Sequence, residues 1–215
     1  MMMSVLDLKR SYQKKKREIK ERLQDFKKVW DKSDEEIFAE LCFCLLTPQS
    51  KARAADRTIK NMIKNNVLFS GKRDQILKEL KTQGIRFPEN KTKFILEARE
   101  FFTRDGKIDI KSKLKKGSLD SKREWFVKNV KGFGLKEASH FLRNIGLGVD
   151  LAILDRHVMK NLGIYVVIHE IPKSLSRKQY LSIEEKMRKF SKQVKIPMAD
   201  LDLLFWSEET GEVFK

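Results

Sequence analysis

Between residues 130 and 146 the chain reads Val130-Lys131-Gly132-Phe133-Gly134-Leu135-Lys136-Glu137-Ala138-Ser139-His140-Phe141-Leu142-Arg143-Asn144-Ile145-Gly146, and no other stretch constrains the fold as much. Two glycines flank one apolar residue, a lysine follows two places after the second, and an apolar-periodic run then begins. Glycine reaches positive φ without a Cβ clash, so Gly132 and Gly134 predict a tight connection between two helices. Leu135, Ala138, Ser139 and Leu142 recur at helical spacing and predict one buried face. Asp120 to Asn129, with Trp125, Phe126 and Val130 as a packing face, supplies the preceding helix. The local fold is therefore helix, short hairpin, helix. Unsatisfied N–H groups at the start of the second helix make a ready anion site. Lys131, Gly132 and Gly134 are the candidates for holding a phosphate backbone.

A chain of 215 residues buries a real core, in one domain or two small lobes. Lys and Arg number 47 against 30 Asp and Glu, a net charge of +17. Such a field draws in polyanions, nucleic acid first and anionic membrane second. No apolar run approaches the roughly 20 residues needed to cross a bilayer, and the opening Met-Met-Met-Ser does not read as a signal peptide. An intracellular protein without a membrane partner is expected. Cys42 and Cys44, at i and i+2 of a helical stretch, point to different faces, so they read as small core residues rather than a disulfide. His140 and His157 have no third ligand to suggest a metal site.

The first thirty residues predict an amphipathic helix, with Val5, Leu8, Tyr12, Ile19, Leu23, Phe26 and Trp30 at three- and four-residue steps. The basic run Lys14 to Arg17 reads as a solvated face or as a flank for DNA. Ser33-Asp34-Glu35-Glu36 carries a capping box, and the helix from there to Leu46 is nearly all apolar, as a central buried helix should be. It stops at Thr47-Pro48-Gln49-Ser50, where the proline suits the first turn of a following helix with Ala52, Ala55, Ile59, Met62 and Ile63 inward. A helix over Lys72–Thr82 ends at Gly84. Phe87 precedes Pro88 and is biased toward extended backbone. Its ring either packs down or stands out to stack on bases, with Arg86 beside it for phosphate. Helices are predicted over Lys91–Arg104 and, more weakly, Lys107–Leu114. Others follow from Asp155 to Leu162, from Glu184 to Val194 and after Ile196-Pro197, with Tyr165 to Ile168 strand-like. The class is all-α.

Beyond the hairpin come Val149-Asp150-Leu151-Ala152-Ile153-Leu154-Asp155-Arg156-His157-Val158, placing an aspartate nineteen residues after Lys136 at the mouth of another helix. Taken with the hairpin, this resembles the helix-hairpin-helix-GPD superfamily of DNA glycosylases, in the endonuclease III-like branch whose lysine adds AP lyase activity. The wording Lys-Gly-Phe-Gly-x-Lys-Glu-Ala-Ser-His-Phe-Leu-Arg-Asn is similar to the archaeal and bacterial type 2 8-oxoguanine DNA glycosylase/AP lyases, and the likeness runs from about Asp34 to Lys215.

That resemblance implies two helical lobes with the active site in the cleft between them, residues 34–145 forming one and residues 1–33 with 146–215 the other. It implies a monomer acting on double-stranded DNA that carries a damaged base or abasic site, in the cytoplasm or nucleoid of an archaeon or bacterium, with no cofactor. Many endonuclease III relatives carry a four-cysteine iron–sulfur cluster after the GPD segment; this chain has no cysteine beyond Cys44.

It also assigns chemistry. Lys136 would attack C1′ and form a Schiff base, with phosphate contact as the alternative role for this lysine. Asp155 would stabilise positive charge on the sugar, and a plain helix N-cap is compatible with that role. Gln49, with Ser50 and Lys51 behind it, would fill the gap left by an extruded nucleotide, or would merely cap a helix. Arg86 and Phe87 would wedge into the opened duplex. Pro197, Trp206 and the final Lys215 would line the base pocket, Trp206 being equally readable as core. A related glycosylase for another damaged base, or a non-catalytic DNA-backbone-binding protein, are the alternatives.

Overall fold

The computed structural model describes residues 4–215, so the three methionines of the segment read above for a signal peptide lie outside the described residues. Among those residues the regular structure is eleven α-helices, one minimal hairpin and one 3-10 turn, an all-α protein. Among the described residues, no helix is long and apolar enough to cross a membrane. The chain divides into two compact units, Val29–Phe141 and Met1–Lys28 with Leu142–Lys215.

The contiguous unit is built around α2 (Asp34–Leu46), in which every residue from Ile37 to Leu46 is buried. Its start is fixed by a capping box, Ser33 Oγ accepting from Glu36 N at 3.2 Å and Glu36 Oε2 from Ser33 N at 3.3 Å. The Asp34 carboxylate also accepts from the N–H groups of Ile110 and Lys111, both at 2.7 Å, which moors a distant loop to the same helix end. Helix α3 (Ala52–Lys64) packs on α2, with Ala55, Ile59 and Met62 buried. Ile63, expected inward, is exposed, because the buried stripe turns away from it over the last turn. Pro48 is not in the first turn of α3. It lies in a turn closed by Ser50 N donating to Thr47 O, and the left-handed Gln49 (φ 55°) delays the helix to Ala52.

After α4 (Val67–Ser70), α5 (Arg73–Thr82) and α6 (Pro88–Phe102) pack together, α6 also lying on α2. Phe87 adopts a left-handed conformation (φ 55°, ψ 50°), not the expected extended one. Proline bars the right-handed region to its predecessor, and in the observed conformation the Phe87 carbonyl accepts from Lys91 N at 3.1 Å. The weaker helix expected over Lys107–Leu114 is instead β2 (Lys107–Ile108), antiparallel to β1 (Thr103–Arg104) with Thr103 opposite Ile108, then a 3-10 turn over Lys111–Lys113. Asp105 and Gly106 both take positive φ, the two-residue hairpin turn that an Asp-Gly pair favours.

Helix α7 (Leu119–Asn129) begins at an N-capping Ser118, and α8 (Leu135–Asn144) follows the glycine hairpin. Phe126 from α7, Phe133 from the hairpin and Phe141 from α8 form one ring cluster, with Phe126–Phe141 centroids 4.9 Å apart. Phe133, the apolar residue between the glycines, therefore anchors the hairpin. Arg123, buried, reaches Ser139 Oγ at 3.4 Å and ties α7 to α8.

In the other unit, Tyr165 stacks between Phe190 and Phe205, at 6.0 and 5.8 Å, joining the end of α9 (Arg156–Ile164) to α10 (Arg177–Val194) and α11 (Met198–Thr210). Tyr165 to Ile168 is not strand-like: the N–H groups of Val167 and Ile168 turn back onto Leu162 O around a left-handed Val166, a helix-terminating motif. Helix α10 begins at Arg177, earlier than expected, because Ser176 and Gln179 form a capping box. Helix α1 (Val5–Val29) buries Leu8, Tyr12, Ile19, Leu23 and Phe26. It lies against α11 and the chain end. Tyr12 Oη donates to Asp200 Oδ2 at 2.7 Å, Lys15 Nζ to Ser207 O at 3.3 Å and Arg22 Nε to Phe214 O at 2.6 Å. The basic run on α1 thus has a structural use through Lys15.

Candidate active site

Gly132 sits at φ +90°, and a Cβ there would lie 2.5 Å from the Phe94 ring. Both facts demand glycine. Gly134 differs from expectation: its φ is ordinary, and its role is to offer its N–H, which donates to Glu137 Oε2 at 3.1 Å. Glu137 thus occupies the third-position acceptor of a capping box at the start of α8. Its other oxygen, Oε1, lies 3.3 Å from Lys136 Nζ. Lys136 stands in the first turn of α8 with its side chain 23% exposed, reachable yet partly desolvated. Lys131, exposed on the hairpin, lies 3.8 Å from Glu97.

A second group of candidates is brought together in the same unit. Gln49 is exposed at the tip of its left-handed turn, and Arg86 and Phe87 are exposed on the next loop, Phe87 to 50%. The core alternative for Phe87 is therefore excluded; its ring stands out with the Arg86 guanidinium 5.8 Å from the centroid. Ser50 Oγ joins the two loops by accepting from Arg86 N at 3.0 Å. Behind them lies Lys91, which sequence reasoning passed over. Its Nζ donates to Leu46 O at 2.8 Å, Pro48 O at 2.7 Å and Ser50 Oγ at 3.0 Å, and the residue is only 4% exposed. Burial, reinforced by the charges of Lys136 and Arg86, brings its pKa down to about 8.

Asp155 N-caps α9, Oδ1 accepting from His157 N and Val158 N at 2.8 Å each. Oδ2 makes neither bond, so the cap leaves one carboxylate oxygen available for other work. His157 lies edge-on to Trp206 with ring centroids 6.3 Å apart, and Trp206 is 6.1 Å from Phe214. Trp206 is partly exposed and Pro197 is exposed at the start of α11. Lys215 follows Phe214, whose carbonyl is held by Arg22 and whose ring packs beside that guanidinium. One unit thus gathers Asp155, Trp206 and the tail around α9 and α11. Glu137 was legible in principle, since Gly134-x-x-Glu137 is capping-box spacing, whereas a lysine buried at a helix start gives no sequence signal. Cys42 and Cys44 are buried and form no disulfide, and burial pushes the Cys42 thiol up.

A family model described as 8-oxoguanine DNA glycosylase matches residues 19–196. An 8-oxoguanine DNA glycosylase/AP lyase of Fusobacterium nucleatum is 45% identical over 211 residues, covering 97% of this chain and 96% of that protein. One from Methanocaldococcus jannaschii is 40% identical, covering 92% of this chain and 91% of that protein. Among solved structures, the M. jannaschii 8-oxoguanine glycosylase/lyase in complex with 15mer DNA containing 8-oxoguanine superposes with a TM-score of 0.86 at 37% identity, covering 97% of this chain and 99% of that one. The 8-oxoguanine DNA glycosylase of Thermotoga maritima gives a TM-score of 0.87 at 35% identity, covering 98% of both chains. Matched along nearly its whole length by proteins that are themselves matched nearly end to end, the chain belongs to the 8-oxoguanine DNA glycosylase family.

Proposed function

We propose that the protein is a bifunctional DNA glycosylase/AP lyase that excises 8-oxoguanine from duplex DNA, acting as a monomer inside the cell. The observation that carries this is family membership along nearly the whole chain. Lysine at position 136, in the first turn of the helix after the glycine hairpin, supports the lyase half.

In this reading the hairpin, with Lys131 exposed on it and Gly132 leaving room for close approach, holds the DNA backbone while the damaged nucleotide leaves the stack, because C1′ is unreachable within a duplex. Gln49 fills the gap, and Arg86 with Phe87 keeps the duplex open. Pro197, Trp206 and Lys215 line the pocket for the extruded base. The neutral amine of Lys136 attacks C1′; the C1′–N9 bond breaks and its electron pair departs with the base, which takes up a proton. Opening of the sugar ring leaves an imine between Nζ and C1′. The imine acidifies C2′, a proton is lost there, and the 3′ phosphate leaves, cutting the strand. The free oxygen of Asp155 stabilises positive charge on the sugar during base departure.

Borohydride trapping on an 8-oxoguanine duplex is the test. The wild type gives a covalent protein–DNA adduct and Lys136→Gln gives none; an undiminished adduct in the variant, or none in the wild type, sinks the assignment. A lesion panel separates 8-oxoguanine from other damaged bases.

A further inference from the structure

We propose that Lys91 is a positioning residue for this reaction: its buried ammonium bolts the Gln49 turn and the Arg86–Phe87 loop into one rigid wedge. The inference rests on the reading of those loops given above and adds what makes them work.

Both loops carry their exposed residue in a left-handed conformation, Gln49 and Phe87 each at φ 55°. Neither is a glycine, so each conformation is held at a cost by its surroundings. The surroundings are specific. Lys91 Nζ has three donors and all three are used, on Leu46 O, Pro48 O and Ser50 Oγ. Leu46 O belongs to the last residue of α2, where unsatisfied carbonyls carry the negative end of the helix dipole. The ammonium therefore caps a buried helix and grips the carbonyl of the residue preceding Gln49. Ser50 Oγ then passes the link on by accepting from Arg86 N at 3.0 Å, one residue before Phe87. Lys91 is itself the fourth residue of α6, the helix that Phe87 N-caps, so the bolt and the loops share one frame.

A side chain pushed into a base stack works only if it does not yield. Burying an ammonium is costly, and a carbonyl-capping glycine would end α2 more cheaply. The ammonium adds what a glycine cannot: one group on α6 that joins the end of α2 to the Gln49 turn.

The test uses the full chain carrying Lys136→Gln, which halts the chemistry, bound to a duplex with 2-aminopurine beside 8-oxoguanine. Fluorescence rises when the lesion leaves the stack. Adding Lys91→Met should cut the rise about fivefold or more, the scale of coupling between members of one hydrogen-bond network, while affinity for undamaged duplex stays within about twofold. Ser50→Ala should give an intermediate loss. Ile95→Ala, a cavity on the same helix, controls for stability and should keep the full rise. A full rise with Lys91→Met, or an equal loss with Ile95→Ala, overturns the proposal. Where Lys91→Met does not fold, a full rise with Ser50→Ala overturns it. A Lys136→Gln parent giving no rise removes the wedge reading and this inference together, whereas a parent that responds alongside unaffected clamp variants removes only the clamp.

Discussion

An ammonium held behind three oxygens titrates differently from the same group on an unfolded chain. Lys91 comes down from 10.5 to about 8 in the folded protein. Between those values the unfolded chain holds a proton that the folded one has released, so stability rises with pH through that window. Below about pH 8 the cost of the buried charge is fully present. Urea unfolding at pH 7.5 and 9.5 should show this rise in wild type and its absence in Lys91→Met. Above pH 10 the buried Tyr165 hydroxyl, raised to about 12, reverses the trend. Asp155→Asn separates two roles in one residue. Asparagine caps as well as aspartate, so the melting temperature should hold, while base excision falls about 10²- to 10³-fold with the loss of the charge proposed to face the sugar. A parallel fall in melting temperature and activity would reduce Asp155 to a cap. Lys136 and Asp155 were singled out in advance as candidates because the hairpin lysine and the aspartate nineteen residues on resemble a family's motif. Lys91 was not, since what distinguishes it is three acceptors brought from residues more than forty positions away.

At the scale of elements the glycine hairpin gives the sharpest prediction. Gly132→Ala must adopt a left-handed backbone and push its methyl into the Phe94 ring. The combined cost is about 2–4 kcal/mol, to be read from denaturant midpoints. Gly134→Ala, at an ordinary φ and meeting only the end of the Glu137 side chain at 3.2 Å, should cost far less. Most helices were legible because apolar spacing and caps such as Ser33/Glu36 agree with the packing. Three of the failures share a cause. At Lys107–Leu114, Tyr165–Ile168 and Phe87 a local left-handed residue decides the chain path, and an apolar pattern of three or four residues says nothing about the sign of φ.

Over the whole molecule the charge of +17 is spread along the chain rather than confined to one tail, and the proposed function gives it a use. Affinity for undamaged duplex should fall on the order of 10³-fold between 50 and 200 mM salt, measured by fluorescence anisotropy. A flat response would remove backbone binding from the mechanism.

The fastening of α1 to the chain end through Arg22 and Phe214 sets an order of events during synthesis. Residues Val29–Phe141 form a unit of their own, complete once that stretch has left the ribosome. Helix α1 emerges earlier, yet the partners for Leu8, Ile19 and Phe26 within its unit lie from Leu142 onward. Its apolar face must wait for that later segment to be translated. Helix α1 is thus made before the Val29–Phe141 unit yet docks after it, and a ribosome stalled before α11 would hold a finished Lys136 hairpin and an unfinished unit around Asp155.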